Sequence, residues 1–300
     1  MPFGQVVVGP PGSGKTTYCN GMQQFLSALG RKTAVINLDP ANDALPCDCS
    51  VDIEELIKLD DVMTQYGLGP NGGLVYCMDY LEKNIDWLEK KLEPLAKDHY
   101  LLFDLPGQVE LFTLHPHVKN VIDTMTNKWN FRLTAVHLID SHLCTDPGNY
   151  VSALLLSLST MLHLGLPHIN VLSKIDMIQQ YGPLAFNLDF YTEVQDLGYL
   201  AHHLNQDPRF QKYRKLTEGL CEVIQDYGMV SFATLNVNDK ESVYEVVKLV
   251  DKSNGYVFAG IEGDVTELSK VAAGDTNWDY YKAAAVQEKY VDDIRTSRDF

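Results

Sequence analysis

Residues Gly9 to Tyr18 read GPPGSGKTTY, with Gly9, Gly14, Lys15 and Thr16 in the fixed places of G-x-x-x-x-G-K-[ST]. By average residue frequencies the pattern arises by accident in roughly one chain of this length in a hundred, so its flanks must separate it from an ordinary Gly/Pro turn. Before it runs FGQVVV, Phe3 to Val8, a short β-branched stretch. After it, Tyr18, Met22, Phe25, Leu26 and Leu29 recur at helical spacing until Gly30. Strand, glycine loop and helix in that order turn backbone N–H groups and the positive end of a helix toward an anion. Gly12, Ser13, Gly14, Lys15, Thr16 and Thr17 are therefore predicted to cradle phosphates. Lys15 is expected to reach the β- and γ-phosphates and the Thr16 hydroxyl to ligate Mg²⁺. The dinucleotide fingerprint is not completed, because Gly12 and Gly14 are followed by Thr17.

Composition narrows the partners. The 300 residues, 45% of them hydrophobic, suit one large domain or a domain with an appendage. A net charge of −16 lacks the basic footprint of direct nucleic-acid binding. No apolar run reaches the length of a membrane span, and residues 1–20 do not read as a signal peptide, so neither a signal peptide nor a membrane anchor is expected. The six cysteines, Cys19, Cys47, Cys49, Cys77, Cys144 and Cys221, contain no C-x-x-C pair and are expected to be reduced thiols, with Cys47 and Cys49 too few for a closed zinc site.

Apolar runs at Phe3–Val8, Thr33–Leu38, Tyr100–Asp104, Leu133–Asp140, Ile169–Leu172 and Val230–Leu235 alternate with helical stretches. This predicts an α/β fold of the P-loop NTPase kind, a mostly parallel sheet with helices on both faces. The domain is expected over 1–262, with a helical insertion at 177–229 and a polar, partly ordered tail at 263–300. Ligands of such sheets bind at the carboxyl ends of strands. Three short motifs fall there: NLDPAND with Asp39, DLPGQVE with Asp104, Gln108 and Glu110, and LSKID with Ser173, Lys174 and Asp176.

Asp104 is expected to hold Mg²⁺ directly or through its water. Gln108 either orients an attacking water or merely starts a helix. Asp39 either assists through a metal-bound water or caps its turn. Glu110 is a weaker candidate, since the helix dipole favours a carboxylate there regardless of function. The Asp176 carboxylate matches the paired N1–H and N2–H donors of guanine, which adenine lacks, while the Lys174 stem would pack over the base. These positions make GTP/GDP and Mg²⁺ the expected cofactors.

GPPGSGKTT, NLDPA, DLPGQVE and LSKID, together with LGPNGGL at Leu68–Leu74, resemble the GPN-loop GTPases over residues 3 to about 260. CMDYLEKNIDWL and DSHLCTDP are most similar to the eukaryotic second paralogue of that family. The resemblance implies a dimeric cytoplasmic GTPase that shuttles to the nucleus and serves RNA polymerase II assembly and nuclear import. It implies a homodimer or a heterodimer with a paralogous GPN-loop GTPase, with RNA polymerase II subunits or assembly factors as partners. It also implies that Gly69, Pro70 and Asn71 cross the dimer interface and that Asn71 assists hydrolysis in the other subunit. SFATLN departs from the S-A-K wording of many GTPases, which leaves the second guanine contact, near Ser231, in doubt. Two other classes compete: an assembly adaptor or chaperone whose bound nucleotide turns over little, and a small-molecule or polynucleotide kinase, against which stand the missing arginine-rich lid and the SKID motif.

Overall fold

The computed structural model describes residues 1–42, 49–194, 196–206, 211–259 and 278–291. Cys47, and positions 263–277 and 292–300 of the predicted tail, lie outside them. Seven strands form a parallel sheet: β1 (Phe3–Val8), β2 (Thr33–Asn37), β3 (Cys49–Asp52), β4 (Tyr100–Asp104), β5 (Arg132–Asp140), β6 (His168–Ser173) and β7 (Phe232–Thr234). Their order is β3-β2-β4-β1-β5-β6-β7. Every residue of β4 is buried, as its unbroken YLLFD run requires of a strand covered on both faces. Among the described residues no cysteine is in a disulfide, and no helix is long and apolar enough to cross a membrane.

Helices follow the strands: α1 (Lys15–Ala28), α2 (Leu59–Tyr66), α3 (Pro70–Lys83), α4 (Ile85–Leu92), α5 (Val109–Thr113), α6 (Pro116–Asn127), α7 (Pro147–Leu164), α8 (Leu188–Glu193), α9 (Leu197–Gln206), α10 (Arg214–Tyr227), α11 (Lys240–Asn254) and α12 (Trp278–Tyr290). The chain divides into two compact units. The first comprises Met1–Leu138, Thr160–Ile169 and Val237–Tyr256, and the second Ile139–Ser159, Asn170–Asn236 and Val257–Phe300.

Two elements depart from the sequence expectation. β3 is an additional strand, paired with the edge of β2 through a register shift and burying only Val51 of its four residues. One apolar side chain in four leaves no periodic signal. α12 lies within the polar tail. The predicted sixth run, Val230–Leu235, is ordered as strand only over Phe232–Thr234.

In the first unit a buried polar network fixes α1 against β1. Tyr18 of α1 donates its hydroxyl to Gln5 Oε1 at 2.6 Å, Gln5 Nε2 donates to the Tyr100 hydroxyl at 3.3 Å, and Asn254 Nδ2 donates to the same hydroxyl at 3.0 Å. Beside it Arg31 grips Asp251 with two guanidinium nitrogens, at 2.9 and 2.5 Å, and its charge lies 4.2 Å from the centre of the Tyr256 ring. This clamp ties the end of α1 to α11. Removing the carboxylate strands a largely buried guanidinium, so Asp251→Ala should destabilise the protein by about 3 kcal/mol in equilibrium urea unfolding. A change below about 1 kcal/mol, the range of an exposed ion pair, would show that the clamp carries little stability.

Candidate functional site

The glycine loop of the first unit is built by backbone conformations that side chains resist. Gly9, Gly12 and Gly14 have φ of 149°, 79° and 90°. A Cβ on Gly9 would lie 2.3 Å from the Leu138 carbonyl oxygen. Gly14 caps α1 in the left-handed region, and no side chain bonds that cap, so the first amides of α1 stay available for an anion. Parallel register then sets the acids. Val7 pairs with Asp104 and Asn37 pairs with Asp104 on the other side, which brings the ends of β1, β2 and β4 to one level.

At that level the predicted residues converge. Thr16 donates its hydroxyl to Asp104 Oδ2 at 2.7 Å. Lys15 is buried, donates to the Pro10 carbonyl at 3.4 Å, and has its pKa lowered by burial against the pull of Asp104 and Asp39. Burial pushes the Asp104 carboxyl up to about 6, opposed by the Thr16 hydroxyl and the Lys15 charge. Burial likewise raises Asp39, against the Ala41 amide and Lys15. Asp39 caps its own turn, accepting from the Ala41 amide at 3.0 Å, while it also faces the Lys15 charge. Asp39 therefore caps its turn, as one of its two expected roles requires.

Two oxygens here are buried without a hydrogen-bond partner: Asp104 Oδ1 and Gln108 Oε1. A buried carboxylate oxygen left bare beside a threonine hydroxyl is the donor set a hard divalent cation takes, so Thr16 and Asp104 fit Mg²⁺. Gln108 stands at the start of α5, where its side chain makes no cap. Its Oε1 is therefore not spent on the helix cap. Glu110 is exposed in the first turn of α5, as the dipole argument alone would place it.

Two neighbours were not singled out from sequence. Asn42 Nδ2 donates to Thr16 Oγ1 at 3.1 Å, extending the Asp39 turn onto the cation residues. Gly107 passes so near Lys15 that a Cβ there would lie 2.8 Å from the Lys15 ammonium and 3.2 Å from Pro11 Cα. A side chain there would crowd Lys15 and the Pro11 backbone where the DLPGQ turn closes on the phosphate loop.

The second unit holds the LSKID residues. Ser173 is buried and donates to the Ile139 carbonyl at 3.1 Å. Lys174 adopts φ 55° and extends its ammonium to Asp140 Oδ2 at 2.6 Å. Burial opposes ionisation of Asp140, but the Lys174 bond and the His142 amide outweigh it and hold its carboxyl below the ordinary value. Asp140 closes the run HLID and was missed; a carboxylate at the end of β5 follows the same carboxyl-end rule that found Asp104. Asp176 is exposed at the start of the 3₁₀ turn Ile175–Tyr181. Ser231 does not join this group. It precedes β7, one residue before Phe232, which pairs with Asn170, and its carbonyl accepts from Asn170 Nδ2 at 3.3 Å. The residues level with the end of β6 are Leu235, whose amide reaches the Leu172 carbonyl at 2.9 Å, and Asn236.

Gly69 is the N-cap of α3 and Pro70 and Asn71 are its first two helical residues, all three exposed.

Glycine loop, parallel sheet and bare carboxylate together define a P-loop NTPase. A family model described as "Conserved hypothetical ATP binding protein" matches residues 7–256. The chain is 72% identical over 293 residues to GPN-loop GTPase QQT1 of Arabidopsis thaliana, covering 98% of each chain. It is 60% identical over 290 residues to GPN-loop GTPase 2 of Danio rerio, covering 97% of this chain and 93% of that one. The crystal structure of a GTPase in apo form from Pyrococcus abyssi superposes with a TM-score of 0.66 at 26% identity, covering 84% of this chain and 97% of that one. The chain belongs to the GPN-loop GTPase family, alongside its eukaryotic second paralogues.

The raised carboxyl of Asp104 has a thermodynamic consequence in the ligand-free protein. The penalty for charging it is absent below the unfolded value of 3.8 and fully present above about 6. Asp104→Asn should therefore stabilise the ligand-free protein by about 1–3 kcal/mol near pH 7.5, the gain shrinking away as pH falls toward 4, while nucleotide hydrolysis is lost. Thermal unfolding across that range checks it. A variant less stable than the parent at pH 7.5, or a difference independent of pH, would contradict the buried-charge account.

Proposed function

We propose that this chain is a Mg²⁺-dependent GTP hydrolase that acts as a dimeric molecular switch. The observation that carries the reading is the pair of unpartnered buried oxygens, Asp104 Oδ1 and Gln108 Oε1, on the turn that closes against Lys15. Mg²⁺ held by Thr16 and Asp104 would neutralise charge on the β–γ bridge of the triphosphate. Lys15 and the amides from Gly12 to Thr17 hold the phosphates. Gln108 accepts a hydrogen bond from the attacking water and orients it, and Asp39 steadies the Lys15 charge. The names of the relatives support GTP as the substrate, whereas the family description names ATP. Asp176, exposed beyond the end of β6, favours guanine because its two oxygens match a donor pair that adenine lacks.

Dimerisation enters through Gly69, Pro70 and Asn71. Their exposure is what a contact with a second subunit needs, and Asn71 would offer its amide to the γ-phosphate or water of the neighbour. The partner subunit is a second copy or a paralogous GPN-loop GTPase. Resemblance to the family extends the proposal to assembly and nuclear import of RNA polymerase II by a cytoplasmic protein that shuttles to the nucleus.

One observation favours the adaptor reading with little turnover. The insertion between β6 and β7 exposes Leu216, Val223 and Tyr227 along one face of α10, opposite the face that lines a groove of about 570 Å³ against α9, and neither face contains any of the site residues. Multiple-turnover phosphate release separates the two, since an adaptor binds GTP and releases essentially none.

Lys15→Ala should lower phosphate release about 100-fold or more; release at the parent rate would defeat the assignment of the phosphate site. Asp176→Asn should weaken GTP about 10- to 100-fold and improve binding of xanthosine triphosphate, whose edge offers an acceptor where guanine offers a donor. Asn71→Ala should keep nucleotide binding and lose hydrolysis, and mixing it with Lys15→Ala should restore activity through one complete site per mixed dimer. If Asn71→Ala hydrolyses GTP like the parent, the GPN segment is a turn and nothing more.

A further inference from the structure

The second unit contains an element that the site described so far does not use. α12 belongs to the polar tail, yet it is docked directly on the segment that carries Asp176. Ile175 and Ile178, on either side of Asp176 in the 3₁₀ turn, are each 1% exposed, and Leu188 at the start of α8 is fully buried. Val286, Tyr290 and Val291 pack against this cluster, together with Leu184. The spacing 286, 290 is one helical turn, so a single face of α12 provides the contact.

Polar contacts fix the register of that face. Tyr290 accepts at its hydroxyl a hydrogen bond from Asn236 Nδ2 at 3.1 Å, and Gln287 Oε1 accepts from the Leu188 amide at 2.7 Å. Asn236 follows Leu235, whose carbonyl takes the Ile175 amide at 3.2 Å and whose amide reaches Leu172. The 3₁₀ turn is therefore held from two sides: by the end of β7 through Leu235, and by α12 through Tyr290, Gln287 and the apolar face. Asp176 itself is exposed.

We propose that α12 is a positioning element for base recognition, with Tyr290 and Gln287 as positioning residues that act through the Ile175–Tyr181 turn on Asp176. This rests on the reading that Asp176 meets the guanine edge. A carboxylate that must accept two hydrogen bonds at once loses most of its discrimination when its backbone can drift by a fraction of an ångström, since hydrogen bonds weaken steeply with distance and angle. The turn has few ways to hold itself, because 3₁₀ hydrogen-bond geometry is poor. The clamp supplies the missing constraint, and whatever releases α12 lowers affinity for guanine nucleotides in particular.

The test compares GDP with inosine diphosphate, which has the same phosphates, ribose and N1–H but lacks the N2 amino group. Full-length protein carrying Gln287→Ala and Tyr290→Phe together is expected to bind GDP about five- to tenfold more weakly, with a smaller loss for inosine diphosphate. In an Asp176→Asn background the same two changes should alter GDP affinity less than about twofold, because there is no longer a carboxylate to position. A chain ending at residue 277 should show the larger form of the same loss, and the point variants decide the matter where that chain does not fold. GDP affinity within about twofold of the parent for the double variant, or equal losses for both nucleotides that add to the Asp176→Asn loss, would overturn the proposal. Asp176→Asn with parental GDP affinity would overturn the base-recognition reading itself, and this proposal with it.

Discussion

The first unit is organised by a carboxylate kept where water does not reach it. Asp104 is 1% exposed at the end of a strand buried on both faces, and one of its oxygens has no partner. A group in that state is expensive for a folded chain. Its expense is reduced by the Thr16 hydroxyl and the Lys15 ammonium, both delivered by the first turn of α1, and a divalent cation would match the remaining lone pairs. The surrounding arrangement follows from holding these three groups together. β1 must pair with β4 in register so that the loop after Val7 begins level with Asp104. Gly107 keeps the approach to Lys15 and Pro11 uncrowded, and Gly14 enters the left-handed region so that α1 starts where it does.

Rigidity beneath the loop serves the same end. The chain from Tyr18 to Gln5 to Tyr100 to Asn254 links α1, β1, β4 and α11 through buried hydrogen bonds, with Arg31 and Asp251 closing it at the edge. Buried polar networks that are fully paired specify one arrangement of the elements they join. Here they fix the axis of α1, whose positive end has to face the phosphates, and they do so from the side away from the ligand. Asn42, bonded to Thr16, supplies the corresponding hold from the Asp39 turn.

Much of this was legible in the sequence because it depends on local chemistry. The glycine loop, Lys15, Thr16 and Asp104 are set by motifs of adjacent residues, and the strand runs before them are unmistakably apolar. Long-range features were less legible. Arg31 and Asp251 are separated by 220 positions and only the fold makes them neighbours. β3 buries one side chain of four and takes its strand character from pairing with β2. Ser231, inside the sixth run, left the second guanine contact in doubt; the parallel register puts it at the opposite end of β7, and Asn236 takes the end level with LSKID. α12 was hidden by composition. Its sequence is polar apart from one stripe, and that stripe is meaningful only against Ile175, Ile178 and Leu188.

The central claim is that the bare oxygens of Asp104 and Gln108 belong to a triphosphate-hydrolysing centre. A crystal structure with GDP, Mg²⁺ and a γ-phosphate mimic tests it most directly. The account predicts the cation on Thr16 Oγ1 with Asp104 Oδ1 on the ion or on one of its waters, and Gln108 Oε1 bonded to the water in line with the mimic. A cation bound away from Thr16 and Asp104, with both oxygens still lacking any partner, would contradict it.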